Sequence, residues 1–467
     1  MARSAAPVTR RRRGRAWTGP TARAILGVDG SDGSDGSDGA RHARLPPSLP
    51  DLACARHPRA PRAGRRVRRR GLRRRRARVR VNPLLAATAA PPIPAAGRWK
   101  AAYDGRRGPL IDLAQAVPGV PPPDALLERL AAAARDPASA AYGPIAGDPA
   151  LRAALAADVS ALYGAAVRPE DVAITSGCNE AFAVSVLALA GRGDAVILPT
   201  PWYFNHKMTL DMLGVEAVPL PAGADDGFVP SPAAARALIG PNTRAIVLVS
   251  PNNPTGATYP PDVLSAFLAL ARETGIALVL DETYRDFLPA GRVRPHGLFA
   301  EDGWRDALVH LYSFSKSYAV PGHRLGAAVA DPALLAEVAK VLDCVTICPP
   351  RAPQAAVAWA VEGTRGWRAA TRAAVDRRAA LFARAVAASP GWSVSAIGAY
   401  FAYVRHPFGG TAEAAAARLC AEGGVLALPG SFFGPGQEDY LRFAFPNVRD
   451  DEVAGLAERL TAVGRVP

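Results

Sequence analysis

The sequence predicts an α/β fold, with a large domain built on a mostly parallel sheet flanked by helices and a smaller α+β domain beside it. Three observations predict it. From Asp171 to Ala330, short β-branched or aliphatic runs alternate with longer amphipathic segments, the pattern of parallel strands linked by covering helices. After Pro349-Pro350 the texture changes to long alanine-rich segments followed by short strands. The chain has 467 residues, 49% of them hydrophobic, which is enough for two domains with sizeable cores.

Taken from the amino end, residues 1 to 80 form an arm unlike anything after it. The arm holds 23 Arg, no Lys and 5 Asp, a charge of +18, whereas the remainder carries 33 basic and 36 acidic residues. The +15 of the whole chain is therefore a property of the arm, and affinity for nucleic acid would have to come from there, Arg65 to Arg80 above all. Dense like charge, few apolar residues and the Asp-Gly-Ser tract from Asp29 to Gly39 predict disorder. The arm reads first as an extension created by an upstream start assignment, ahead of a transit peptide or a nucleic-acid arm.

Residues 81 to 145 are assigned to the N-terminal part of the small domain and a linker, 146 to 350 to the large domain, and 351 to 467 to the C-terminal small domain. The proline-rich stretch Val81 to Pro123 is expected to pack on the small domain, with helices over Leu126 to Ala134 and Pro149 to Leu162. Strands are expected at Val172 to Thr175, Ala195 to Leu198, Ala245 to Val249, Ile276 to Leu280, Ala307 to Leu311 and Gly326 to Ala330. Helices such as Asn179 to Leu189 and Pro261 to Thr274 lie between them. Beyond Pro350 come helices Gln354 to Val361 and Trp367 to Ala387, then strands around Tyr400 to Val404 and Tyr440 to Phe445.

No stretch approaches the roughly 18 uninterrupted apolar residues of a membrane span. The cysteines, Cys54, Cys178, Cys344, Cys348 and Cys420, are odd in number and scattered, which argues against a disulfide framework and for a reducing cytoplasm. Cys344 and Cys348 lack a matching ligand pair nearby, so core packing is the better reading and no metal is expected.

Polar residues follow the strand ends in an informative order. Lys316 stands in the polar turn Ser313 to Ser317, just past a buried strand. A lysine ammonium in a partly desolvated pocket loses proton affinity and becomes a usable nucleophile towards an aldehyde. A solvated surface lysine is the plain alternative. In Ser250-Pro-Asn-Asn-Pro-Thr-Gly256 the prolines hold Asn253 in a fixed orientation. Asp281-Glu-Thr-Tyr284 follows the strand ending at Leu280, and Thr175-Ser-Gly-Cys-Asn-Glu180 opens a helix whose N–H groups can hold a phosphate. Each also has a structural reading: an Asn-Pro turn, a helix-starting Asp, an N-cap with a tight glycine.

Together these motifs resemble the fold-type I pyridoxal-phosphate enzymes, specifically the class I/II aminotransferases of the aspartate aminotransferase type. The resemblance spans roughly Leu110 to Leu460, with Asn253, Asp281, Lys316 and Arg442 in the family's order. It implies that Lys316 forms a Schiff base with the aldehyde of pyridoxal 5'-phosphate and later moves the substrate Cα proton. Asp281 would keep the ring nitrogen protonated, with His206 either backing it up or serving as a structural histidine. Asn253 and Tyr284 would donate to the ring oxygen. Gly177, Cys178, Asn179, Ser313 and Arg324 would hold the phosphate, and Tyr203 would stack on the ring. Arg442 would grip the substrate α-carboxylate, and Tyr142 would reach the phosphate of a neighbouring subunit, which implies a homodimer.

Two departures stand out. Ala116, in Leu113-Ala-Gln-Ala-Val-Pro-Gly119, occupies the place where the family usually has a glycine that lets backbone approach the substrate carboxylate. No second arginine matches one that would recognise a dicarboxylic side chain. His323 and Phe432-Phe433 are candidates for an entrance, with surface packing as the equal alternative. The expectation is thus a cytoplasmic aminotransferase that moves an amino group between an amino acid and a 2-oxo acid. A carbon–sulfur β-lyase on the same machinery is the alternative. An aminotransferase-like transcription regulator would need a folded DNA-binding domain upstream, and residues 1 to 80 show no amphipathic three-helix pattern.

Overall fold

The computed structural model describes residues 79–464. The Arg-rich arm, with its Asp-Gly-Ser tract and Cys54, lies outside the described residues except for its last two positions.

Seven strands build the larger sheet: β1 (Val172–Thr175), β2 (Ala195–Thr200), β3 (Glu216–Pro221), β4 (Thr243–Val249), β5 (Ala277–Asp281), β6 (Leu308–Ser313) and β7 (Gly326–Val329). Their order across the sheet is β1-β7-β6-β5-β4-β2-β3. Strands β2 to β6 run parallel, and β7 runs antiparallel to both of its neighbours, β1 and β6. Along β4, Ile246 and Leu248 enter one core while Ala245 and Val247 enter the other, the two-residue period of a strand. Helices cover both faces, so the strands read as continuous apolar runs rather than alternating ones.

Helix Pro261–Thr274 shows how a covering helix is specified. Leu264, Phe267, Leu268 and Ala271 recur at helical spacing and are buried against the sheet. It stops at Gly275, whose φ of +69° suits the left-handed cap and whose N–H bonds the Ala271 carbonyl. On the same face lie Pro149–Tyr163 and Arg351–Gly363, and on the other Cys178–Leu189 and Phe204–Leu213. The edge strand β3 is absent from the sequence-based expectation. Its run Glu-Ala-Val-Pro-Leu-Pro has two prolines and only one buried residue, Leu220, a composition that an edge position tolerates and a central one does not.

A second sheet is antiparallel, with strands β8 (Ser393–Gly398), β9 (Phe401–Arg405), β10 (Leu428–Pro429) and β11 (Tyr440–Ala444) in the order β10-β11-β9-β8. Helix Arg365–Ala387 backs it, burying Val375, Phe382 and Val386 with Phe443 and Val404. The chain before residue 123 joins this layer: Ile111–Asp112 pairs in parallel with Val425–Leu426, and Ala96 of helix Pro92–Ala102 shares a core with Leu426 and Leu428. One element departs from the boundary read at Pro350. Helix Arg351–Gly363, expected with the smaller layer, places Ala356, Val357 and Ala360 in the core of the larger sheet. Its apolar stripe faces helices Asp124–Arg135 and Pro149–Tyr163, and alanine content alone does not reveal that choice. No described helix is long and apolar enough to cross a membrane.

Candidate active site

The carboxyl ends of β1, β4, β5 and β6 and the start of antiparallel β7 meet at one edge of the larger sheet, the usual place for a ligand in this topology. A cavity of about 420 Å³ opens there, closed from the other side by Arg442 of β11. Lys316 and Asp281 line this same cavity, together with Ala116, Cys178, Asn179, Tyr203, Asn253, Tyr284, Ser313, Arg324 and Arg442. Gly177 caps the helix that begins with Cys178. Tyr142 stands apart, 77% exposed and outside the cavity of its own chain.

Lys316 is carried by the single helical turn Phe314–Ser317 that follows β6. Ser313 caps that turn by accepting from the Ser315 N–H at 3.3 Å. Behind the turn, the Asp286 carboxylate accepts from Tyr312 Oη at 2.8 Å, Ser317 Oγ at 2.5 Å and Arg368 Nη1 at 3.0 Å. Lys316 is thus held on a braced turn rather than a free loop. Burial, and then the positive charges of Arg324 and Arg442, bring its amine down to about 8. The amine donates to the Ala116 carbonyl at 2.6 Å, so Ala116 meets Lys316 through its backbone in addition to lining the pocket.

Asp281 ends β5 between Val249 of β4 and Leu311 of β6 and is 3% exposed. Burial opposes its charge, but His206 Nε2 at 3.3 Å and the Thr283 N–H at 2.9 Å hold it below the usual carboxylate range. His206 is itself stacked on Phe182, with ring centres 3.9 Å apart, so its contact with Asp281 is fixed by packing. Burial pushes the neighbouring Cys178 thiol well up, and the Asp281 charge adds to it, which keeps that thiol protonated.

Two further features suit anions. Gly177, at φ +96°, lets the chain turn into helix Cys178–Leu189, and a Cβ there would collide with the Arg324 guanidinium. Arg324 is held over that helix start by the carbonyls of Pro321 at 3.1 Å and Ser176 at 3.4 Å, its own backbone left-handed at φ +52°. Helix N–H groups and a guanidinium converge there, an arrangement that suits a phosphate. Arg442, 2% exposed, donates to Asn253 Oδ1 at 3.2 Å and to the Ala114 carbonyl, and its Nε has no partner among the described residues. Burial lowers it to about 10, so it is charged at neutral pH. Asn253 is placed by its neighbour, since Asn252 Oδ1 accepts from Thr255 Oγ1 at 2.9 Å and Asn252 Nδ2 donates to Tyr259 Oη at 3.2 Å. Tyr203 donates to Asn179 Oδ1 at 3.4 Å.

Sequence reasoning missed Ile93, Phe204 and Thr283. Thr283 could have been found, since it sits inside the run from Asp281 to Tyr284. Ile93 arrives from a helix that carries no motif, and no signal marks it. Phe433 is buried behind Arg442, its ring centre 5.3 Å from the guanidinium carbon, and neither it nor His323 lines the cavity.

Comparison with known proteins agrees with this geometry. The family model "Aminotransferase class I and II" matches residues 108–460. A valine–pyruvate aminotransferase of Mycobacterium tuberculosis is 35% identical over 56% of this chain and 66% of its own length. An arginine–pyruvate transaminase of Pseudomonas aeruginosa is 33% identical over 64% of this chain and 77% of its own. Among solved structures, the aspartate aminotransferase of Thermus thermophilus with maleate superposes with a TM-score of 0.76 at 28% identity, covering 83% of this chain and 100% of that one. The chain belongs to the aminotransferase class I and II family.

Proposed function

We propose that this chain is a pyridoxal 5'-phosphate-dependent aminotransferase that moves an amino group between an amino acid and a 2-oxo acid. One observation carries the proposal: a lysine amine lowered to about 8 shares a cavity with a buried, His-paired carboxylate and two arginines. The donor set fits the cofactor. Lys316 is an amine for its aldehyde, Asp281 a carboxylate for its ring nitrogen, and Arg324 with the start of helix Cys178–Leu189 a cradle for its phosphate. When bound, pyridoxal phosphate supplies the aldehyde that takes the amino group and a ring that accepts the electron pair left when the Cα–H bond breaks.

The chain's own residues do the rest. Asp281, kept ionised by His206 and Thr283, holds a proton on the ring nitrogen. Lys316 anchors the cofactor, and its amine, once released, takes the proton from the substrate Cα. Arg442 binds the α-carboxylate with a guanidinium already oriented by Asn253 and Ala114. Tyr203 stacks on the ring, Tyr284 and Asn253 serve its oxygen, and Ser313, Gly177, Cys178 and Asn179 serve the phosphate. Tyr142 serves the second copy of a cytoplasmic homodimer. Tyr142, Val345 and Ile347 are exposed apolar residues on neighbouring segments, joined through the Gly143 N–H to Cys348 Sγ contact of 3.4 Å.

The test is chemical. Protein incubated with pyridoxal phosphate and reduced with borohydride should carry one added mass on the peptide containing Lys316. A separate, unreduced sample of the loaded protein should release an equivalent of 2-oxo acid from an amino acid with no acceptor present. Wild-type turnover in Lys316→Ala, or an adduct only elsewhere, would overturn the assignment. Pyruvate and ammonia released from cysteine conjugates without an acceptor would assign a β-lyase instead.

A further inference from the structure

We propose that Asp286, which lies outside the cavity, is a positioning residue for Lys316: its carboxylate ties the lysine's turn to the end of the strand that carries Asp281 and so sets the span between the amine and Asp281. The inference rests on the aminotransferase reading and adds a residue to its machinery.

The turn that carries Lys316 is too short to hold itself. Four residues, Phe314–Ser317, make one helical turn, and a lone turn is unstable because it fixes several dihedrals for each hydrogen bond gained. Its closing bonds are long, the Tyr318 N–H to the Phe314 carbonyl at 3.3 Å and the Ala319 N–H to the Lys316 carbonyl at 3.3 Å. Ala319 then takes a left-handed φ of +53°, a conformation that a side chain disfavours. A lysine amine stands at the end of a long flexible stem, so it is placed no better than the backbone beneath it.

Asp286 supplies the missing hold. It follows Asp281 by five residues, in the short turn Arg285–Phe287 that leaves β5. The Arg285 N–H bonds the Glu282 carbonyl at 3.0 Å and the Phe287 N–H bonds the Tyr284 carbonyl at 2.9 Å, so the carboxylate hangs from the strand end itself. Its Oδ2 accepts from Tyr312 and Ser317, four residues before and one residue after Lys316, and its Oδ1 accepts from Arg368. One side chain therefore joins the strand end of Asp281 to both flanks of Lys316. Those two groups serve opposite ends of one cofactor, and a misplacement of about 1 Å at a reacting group can cost on the order of a hundredfold in rate.

The hold is built to stay charged. Burial opposes ionisation of Asp286, but Arg285 and Arg368 outweigh it and keep the carboxyl below its usual range. Arg285 lies 3.9 Å from the Tyr312 ring centre and pairs with Asp158 at 2.5 Å. Arg368 lies 4.9 Å from the Tyr318 ring centre and donates to the Val361 carbonyl at 2.7 Å. Asp286 and Arg368 line a different hollow, between helices Pro149–Tyr163 and Arg365–Ala387. Tyr312, Ser317 and Tyr318 are buried. The three contacts of the carboxylate are thus made within one chain, and a second copy that adds groups to the cavity leaves them as they are.

Chemistry at the amine tests this apart from turnover. Ser317→Ala deletes one donor to Asp286 and alters no residue that lines the cavity. The initial rate of borohydride-trapped adduct formation at Lys316 with unphosphorylated pyridoxal should fall about tenfold. Its pH midpoint, near 8 in the wild type, should rise, because a loosened amine regains water and moves off Arg324 and Arg442. In the loaded enzyme the saturating rate of the amino-acid half-reaction should fall about tenfold, with the half-saturating concentration within about twofold because Arg442 is untouched. Asp286→Asn, whose amide cannot accept from all three donors, should exceed both changes. Should either variant fail to fold, Tyr312→Phe removes the other hydroxyl on Oδ2 and should reproduce the Ser317→Ala profile. Ser389→Ala, which deletes a buried hydroxyl bonded to the Ala385 carbonyl in the smaller layer, should leave adduct rate and midpoint as in the wild type. Wild-type adduct rate and midpoint in the folded Asp286 and Ser317 variants, or equal losses in Ser389→Ala, would overturn the positioning role and leave the aminotransferase reading standing. A wild type that forms no adduct at Lys316 and gives no half-reaction with any amino acid would overturn both.

Discussion

At the scale of single residues, the chemistry depends on a lysine that is an amine at accessible pH. An ordinary lysine holds its proton to about 10.4, whereas enclosure in the cavity and the charges of Arg324 and Arg442 bring Lys316 to about 8. The sign gives a prediction. Below pH 8 the amine is protonated and unreactive, so the initial rate of borohydride-trapped adduct formation with unphosphorylated pyridoxal should rise through a midpoint near 8. In Arg442→Met, one of the two repelling charges is gone and the midpoint should move up. A wild-type midpoint near 10 would mean that the cavity does not perturb the amine. Lys316, Asp281 and Asn253 were legible in the sequence because each follows an apolar run closed by proline, glycine or polar residues. Ile93 and Phe204 were not, because a residue is brought to this cavity by packing between elements distant in the chain, and spacing carries no record of that.

At the scale of elements, the central strands and helices Pro149–Tyr163 and Pro261–Thr274 were readable from apolar runs and caps. Strand β3, with prolines at its exposed edge, was not, and neither was the way the two sheets touch. That contact is made by backbone. Gly256, at φ +81° in the loop after β4, lies against Gly398 at the end of β8, and a Cβ on Gly256 would come within 2.6 Å of the Phe401 carbonyl. Both strain and collision act on a loop that also carries Asn253, which orients Arg442. Gly256→Ala should therefore lower unfolding free energy by about 2–4 kcal/mol in denaturant titration. It should also weaken binding of a simple monocarboxylate to the protein loaded with cofactor, while Gly275→Ala, at φ +69° but with open space around it, should destabilise by about 1 kcal/mol and leave binding unchanged. Equal effects on binding would show that the sheet crossing does not place Asn253.

At the scale of the whole molecule, charge and architecture separate along the chain. The first 80 residues carry +18 and the remainder −3, yet the described residues that line the cavity run from Ile93 to Arg442. Among the described residues, the cores of both sheets and the contacts that orient Lys316, Asp281 and Arg442 are likewise supplied after residue 79. A chain beginning at Val79 should therefore keep the melting temperature and the amino-acid half-reaction of the full chain, with stability changed by less than about 1 kcal/mol. Its isoelectric point should fall far below the 10.1 of the complete sequence. Any retention of the full chain on a nucleic-acid column should vanish with the arm, and in the full chain should weaken steeply as salt rises, since arginine-rich binding proceeds by counterion release. Nucleic-acid binding that survives the truncation would place a basic surface on the folded part, against its near-neutral charge. Turnover lost on truncation would mean that the first 78 residues supply a group to the site, and the assignment of the catalytic set to residues 93–442 would have to be extended.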